Sequence, residues 1–155
     1  MKLLVALFVL IGFSSFSQLQ VNEDPVIGEI SQVNLGGALP ESLFLARTEN
    51  MQNGNISISF LIGNTRAYVS MELTPEEFEQ LYELITAQLD KRENKKIEIK
   101  SSVSKDITKV STDTLTLIFY KLNKKVRFDP NIPSFGDADL SPFFNRKQID
   151  VLFGK

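Results

Sequence analysis

The chain has 155 residues, 17 basic and 19 acidic side chains, and neither cysteine nor histidine. The absence of both residue types excludes Ser-His-Asp and Cys-His catalysis, thiol redox chemistry and the usual zinc, copper and haem ligation. The length suits one domain with a substantial core, whose stability must come from packing because disulfides are impossible.

The N-terminal segment MKLLVALFVLIGFSSFS has the pattern of a secretory signal peptide. Lys2 precedes a short apolar run, and Ser15 and Ser17 provide the small residues before a cut at Gln18. The apolar run is too short to span a bilayer comfortably, so we expect no transmembrane segment after cleavage. The segment therefore predicts export.

These features define a domain organisation. We predict a cleaved signal peptide over 1–17, a flexible arm over 18–25 and a single α+β domain over 26–155. The product is expected to be soluble and extracytoplasmic, in the periplasm or secreted. The lack of cysteine in an exported chain favours a bacterial origin.

The most clearly specified element is an amphipathic helix over about 74–92. Thr74 is its predicted N-cap, with Pro75 at the first helical position and Glu77 completing a capping box. One face of the helix is apolar and needs a partner surface, while Thr86 falls on the opposite, polar side. The apolar side chains are Phe78, Leu81, Tyr82, Ile85 and Leu89.

A β-hairpin precedes this helix. Apolar residues alternate before and after Gly63-Asn64, which is a strong turn signal. A two-residue loop would pair Phe60 with Ala67 and Ile58 with Val69, which places the apolar side chains of both strands on one face. That face is the predicted contact for the helix.

Further strands follow the helix. Segment 96–103 alternates, 107–110 fits a short edge strand, and 114–122 is apolar on both faces, as in a central strand covered twice. A short C-terminal helix is predicted over about 146–153, with Asn145 as its N-cap. It either packs on its own domain or docks on another protein.

The predicted fold is therefore α+β, with a curved antiparallel sheet of about six to eight strands. The long helix packs on one face of the sheet, and the short C-terminal helix closes an edge or the opposite face.

Charge is unevenly distributed along the chain. Residues 18–90 hold 11 acids and 2 bases, whereas residues 91–155 hold 8 acids and 14 bases. Either the two halves interleave in one sheet and attract each other, or the second half forms a basic face for an anionic partner. The residues of this possible anion-binding face are Lys96, Lys100, Lys121, Lys125 and Arg127.

The alternative for these cations is a solvated face that discourages edge pairing. If they bind a partner, it is expected to be an anionic glycan such as lipopolysaccharide, or an acidic envelope protein. Nucleic acid is not expected, because the protein is slightly acidic and lacks a basic stripe rich in stacking aromatics. Oligomeric state cannot be inferred from the sequence.

Carboxylates remain the only candidates for catalysis. A pair of acids can hydrolyse glycosidic bonds without a metal or histidine, but no pair is marked by the sequence. Asp137 and Asp139 have the alternating spacing of a calcium loop yet lack the other EF-hand features, so a turn is favoured. We predict no catalytic residue, metal or cofactor. The leading hypothesis is a non-catalytic binding module, and the alternative is a carboxylate-based, glycan-directed hydrolase.

Overall fold

The computed structural model describes residues 25–31, 44–63, 67–105, 110–132 and 140–155. The predicted signal peptide, almost all of the predicted arm, and Asp137 and Asp139 lie outside the described residues, as does most of the predicted edge strand over 107–110.

The described residues form two antiparallel sheets and two helices. The first sheet contains β1 (Val26–Ser31), β2 (Phe44–Asn50), β3 (Ile56–Ile62) and β4 (Ala67–Leu73), in chain order. The second contains β5 (Lys95–Lys100), β6 (Thr114–Tyr120), β7 (Lys125–Asp129) and β8 (Phe144–Asn145), also in chain order. Helix α1 (Pro75–Lys91) joins the two sheets, and α2 (Arg146–Leu152) follows β8.

The predicted α+β class, antiparallel pairing, long helix and short C-terminal helix are confirmed. The strands are divided between two sheets, which a short parallel bridge connects. The backbone N–H of Ser70 donates to the carbonyl of Val110 at 3.1 Å, and that of Thr112 donates to the carbonyl of Ser70 at 2.9 Å. The edge of the first sheet is thus tied to the segment that leads into β6.

The two sheets share one apolar core. The ring of Phe60 in β3 lies edge-on to that of Phe128 in β7, with centroids 5.4 Å apart, and Phe144 packs 5.3 Å from Phe128. All three rings are fully buried. Since Phe60 belongs to one sheet and Phe128 to the other, their contact brings the apolar faces together.

The β3–β4 hairpin has the predicted faces but not the predicted register. Ile62 pairs with Ala67, and Phe60 pairs with Val69, so the connection spans residues 63–66 instead of two residues. The predicted pairing of Phe60 with Ala67 is therefore wrong by two positions. Because side chains alternate with a period of two, this shift leaves the same apolar set facing the core.

Helix α1 begins as predicted. Thr74 is the N-cap, Pro75 is at the start, and the reciprocal capping box with Glu77 is present. Thr86, expected on the polar side, is instead buried, and its hydroxyl donates to the carbonyls of Tyr82 and Glu83. The helix packs against β4, β6, β7 and α2, so more of its circumference is covered than a single sheet would cover.

Glu77 also links the start of α1 to the residues that follow β5 through hydrogen bonds. Its carboxylate accepts hydrogen bonds from the backbone N–H of Thr74 (3.0 Å) and Ser102 (2.7 Å), and from the hydroxyl of Ser101 (3.2 Å). Burial acts to raise the pKa of Glu77, but these hydrogen bonds favour the ionised form more strongly and lower the pKa below its ordinary value of 4.5.

We expect Glu77→Gln to destabilise the fold by about 1–2 kcal/mol at pH 7, because the charge-assisted hydrogen bonds weaken. A carboxyl whose pKa is lowered by folding stabilises the protein above its unfolded pKa and loses that effect as pH falls. The difference between the two proteins should therefore shrink below about pH 4.5. Urea unfolding across this range measures it. Glu76→Gln, an exposed change in the same helical turn, is the control and should have a much smaller effect.

Helix α2 packs on its own domain, which is one of the two predicted alternatives. Asn145 caps it with Gln148 as the capping-box partner, as expected. Beyond the helix, the ring of Phe153 stacks on Phe78 of α1 with centroids 4.6 Å apart. The apolar residues that anchor this segment are Ile149, Leu152 and Phe153, all nearly or fully buried.

The end of α2 covers β1 at Gly28. A β-carbon at this position would lie 2.1 Å from the carbonyl oxygen of Val151 and 2.5 Å from that of Leu152. The hydroxyl of Thr48 on the neighbouring strand donates to the same Leu152 carbonyl. Glycine at position 28 therefore permits close contact between a strand and the backbone of a helix.

We expect Gly28→Ala to lower the free energy of unfolding by about 3 kcal/mol, because backbone and not a flexible side chain must move. Chemical denaturation measures the loss. Gly54→Ala is the comparison: its β-carbon would have no neighbour within 4 Å, and only its φ of 86° carries a cost, of about 1–2 kcal/mol. Equal losses would contradict the proposed clash.

Candidate functional site: the basic end of the second sheet

Two turns meet at one end of the second sheet. The α1–β5 turn lies beside the β6–β7 turn, because the side-chain oxygen of Asn94 accepts a hydrogen bond from the backbone N–H of Lys121 at 2.8 Å. Strand pairing has the same effect: Lys95 is opposite Phe119, and Tyr120 is opposite Lys125. Residues distant in sequence are thereby brought together at one end of the second sheet.

This end of the sheet is rich in cations, and we call it the basic end. Its members are Lys91, Arg92, Lys95, Lys96, Lys121, Lys124 and Lys125. All are exposed except the half-buried Lys125. Within the described ranges, none of the seven lies within 4.0 Å of a carboxylate. Their charges are therefore available to a partner.

An aromatic patch borders the basic end, and we define it as Tyr120, Arg127 and Phe143. The rings of Tyr120 and Phe143 meet edge to face at 5.2 Å, and the guanidinium of Arg127 lies 4.6 Å from the centre of the Phe143 ring. Arg127 is held in place because its Nε donates to the carbonyl of Ser141 at 2.7 Å. Phe143 remains 39% exposed.

Four of the five predicted anion-binding residues fall at the basic end or in the aromatic patch. Lys96 and Arg127 flank Ile118 in one row across the outer face of the sheet. Lys121 and Lys125 belong to the neighbouring turn. Lys100 does not join them: it is at the other end of β5, where its Nζ is 4.0 Å from an oxygen of Asp113.

Acids interrupt the cationic surface: Glu93 is exposed in the α1–β5 turn itself, and two further acids lie on the outer face of the sheet. Glu98 and Asp129 lie on either side of Thr116, in the next row of the same outer face. The positive charge is thus concentrated towards the turns and does not extend along the whole strand. Lys100, the last residue of β5, lies beyond these acids and is therefore separated from the other predicted residues.

The acidic and basic halves of the sequence form separate sheets. All four strands of the first sheet come from the acidic half, and all four of the second come from the basic half. The interpretation that the halves interleave in one sheet is therefore wrong. Ion pairs between the halves occur where the helices meet, as in Arg146 with Asp90 and Lys155 with Glu79.

Sequence reasoning missed the aromatic partners and several cations of this site. Tyr120 was predicted only as part of the strand over 114–122, and Phe143 was not predicted to belong to a binding surface. Lys91, Arg92 and Lys95 were expected only at the end of the helix and in the turn that follows it. A detectable signal existed, because the end of the predicted helix and the residues after the strand over 114–122 must meet if β5 and β6 form an antiparallel pair.

A hollow of about 400 Å³ adjoins the basic end. Its lining combines cationic, amide and aromatic groups, namely Asn94, Lys95, Lys96, Ile118, Phe119 and Tyr120. Such a surface offers charge-assisted hydrogen bonds at its rim and an apolar floor.

Two other cavities bear on the hydrolase alternative, which needs two carboxylates facing one cleft. The cavity of about 240 Å³ between α1 and the strands β4 and β5 contains Glu77 as its carboxylate, and the polar cavity of about 210 Å³ beside β4 contains Glu72. The pKa of Glu77 is lowered, whereas a general acid needs a raised pKa. The alternative stays a prediction without an observation in its favour.

Within the described part of the chain, no group of three or more Asp and Glu residues is arranged to hold a metal ion. None of the described helices combines the length and apolar character that a membrane span requires.

Comparison of the chain with protein-family models, with curated proteins and with solved structures gives no match in any of the three.

Proposed function

We propose that this protein is a non-catalytic binding module of the cell envelope or secreted fraction, and that its basic end and aromatic patch hold an anionic glycan. The observation that carries the proposal is the collection of seven cations at one end of the second sheet, without a carboxylate partner in the described ranges. Export is supported by the signal-peptide pattern of the first 17 residues.

The arrangement of the cations favours a ligand with several negative charges. Each exposed lysine contributes only about 0.2–1 kcal/mol to an ion pair, so useful affinity requires many simultaneous contacts. A sulfated, phosphorylated or carboxylated polysaccharide supplies such repeated charges. Clustered like charges also raise the local potential and speed the encounter with an anionic partner.

The aromatic patch adds a second kind of contact. Tyr120 and Phe143 offer ring faces and edges on which the apolar side of a sugar can pack. Arg127 is already fixed by Ser141 and Phe143, so little conformational entropy is lost when it binds an anion. Aromatic rings beside an ordered guanidinium favour a glycan over a simple inorganic anion.

We expect the double variant Lys96→Gln/Lys125→Gln to weaken binding of sulfated heparin fragments by roughly tenfold, which corresponds to two ion contacts of about 0.7 kcal/mol each. Binding by the unaltered protein should also weaken as salt is raised, because exposed charges are screened. Titration calorimetry at low and high salt measures both effects.

The matched control is Lys100→Gln/Lys105→Gln, which removes the same charge from exposed positions remote from the basic end. It should bind heparin fragments almost as tightly as the unaltered protein. If both double variants lose affinity equally, net charge alone governs binding and the proposed site is wrong. Arg127→Lys tests the patch separately, since lysine keeps the charge but loses the planar stacking group.

A further inference from the structure

The β6–β7 turn carries the most exposed apolar side chain among the described residues. Leu122 is 99% exposed, and it stands in a turn with Lys121, Asn123 and Lys124. A single exposed leucine is ordinary on a protein surface. This one differs because its turn belongs to the basic end and places lysines on both sides of it.

The backbone of the turn that carries Leu122 is anchored by hydrogen bonds and strand pairing. Its two flanks are paired, since Tyr120 is opposite Lys125 at the base of the hairpin. Lys124 has a left-handed backbone with φ of 51°, and the N–H of Lys121 is bound by the Asn94 side chain. Leu122 is therefore presented by an anchored turn, with lysines on both sides of it.

We propose that this turn seats the protein on an anionic lipid surface, with Leu122 entering the acyl region and the lysines of the basic end contacting phosphate groups. The proposal goes beyond the proposed function: it uses the same basic end but gives it a second kind of anionic ligand, the surface of a membrane. An apolar tip surrounded by cations is the pattern of interfacial binding. Tyr120 lies behind the turn beside Phe143, and its amphipathic ring suits the headgroup level.

The two contributions have different chemical signatures. Each lysine near an anionic leaflet strengthens binding by about fivefold, and this part weakens with salt. Burying a leucine side chain strengthens binding by roughly tenfold or more, and this part is not screened. Soluble anionic polysaccharides can use the lysines but offer nothing comparable to Leu122. The leucine therefore distinguishes a lipid surface from a free glycan.

The test uses sedimentation of the chain lacking residues 1–17 with vesicles of phosphatidylcholine, with and without phosphatidylglycerol. We expect binding only to the anionic vesicles. Leu122→Ser should lower the partition coefficient about tenfold while leaving affinity for heparin fragments unchanged. Lys121→Gln/Lys124→Gln should weaken both. Val110→Ser, at another exposed apolar residue, is the control and should change neither.

A direct readout is available because the chain contains no tryptophan. In a Leu122→Trp variant the single indole should shift its emission to shorter wavelength on anionic vesicles and be quenched by lipids brominated in their acyl chains. Val110→Trp should show neither change. An unshifted indole at position 122 would overturn insertion even if the protein sediments.

The outcomes separate the two proposals. Heparin binding without vesicle binding, or vesicle binding that Leu122→Ser does not reduce, overturns the lipid inference and leaves the proposed function standing. Vesicle binding that depends on Leu122, without heparin binding, overturns the glycan proposal and supports lipid as the ligand. Binding to neither overturns both.

Discussion

The structure depends on the need to bury the apolar faces of two small open sheets in one core. Each sheet has four strands, and neither could cover its own apolar face. The contact between Phe60 and Phe128 joins them across the centre, and the connecting helix and the C-terminal segment cover much of the remaining core. Removing either cover would expose apolar surface, which favours aggregation.

The same requirement explains the close contacts at the edges. Helix α2 can cover β1 only because Gly28 lets the carbonyls of Val151 and Leu152 approach the strand. Helix α1 is fixed to the end of β5 through the carboxylate of Glu77. These polar and steric details stabilise the arrangement of elements that hydrophobic burial alone would leave loosely specified.

Local features of the fold could be predicted from the sequence with good accuracy. Both helices begin at the expected caps, because a capping box depends on residues only three positions apart. The inward faces of β3 and β4 were also predicted, since alternation with a period of two survives a change of register. The register itself was missed, because several loop lengths are compatible with the same alternation.

Features set by distant contacts could not be predicted in the same way. Thr86 was placed on the polar side of α1 because only one partner surface was assumed, whereas the helix lies among strands of both sheets and α2. Gln88 is a sharper case: it is 3% exposed, and its amide nitrogen has no hydrogen-bond partner among the described residues. No pattern in the sequence marks an amide that will be enclosed by several elements.

The candidate site was partly predictable for a related reason. Charge composition identified the basic half of the chain, and Lys96 and Arg127 were named among its candidate anion-binding residues. The convergence of the α1–β5 and β6–β7 turns depends on a hydrogen bond between Asn94 and Lys121, which composition cannot reveal. Phe143 reaches the patch because it immediately precedes β8, the short strand that pairs with β7. Its partners therefore follow from topology.

The helix dipole favours Lys91 in the last turn of α1, but stability gives no reason to gather the other cations at this end. Seven positive groups at one end repel one another, and the described residues provide them with no compensating ion pairs. On the first sheet, by contrast, Arg47 forms ion pairs with both Glu29 and Glu49. The charge of Arg47 is paired within the first sheet, whereas the charges of the basic end are exposed to solvent around Leu122. The difference is physically reasonable if the missing counter-charges belong to a ligand.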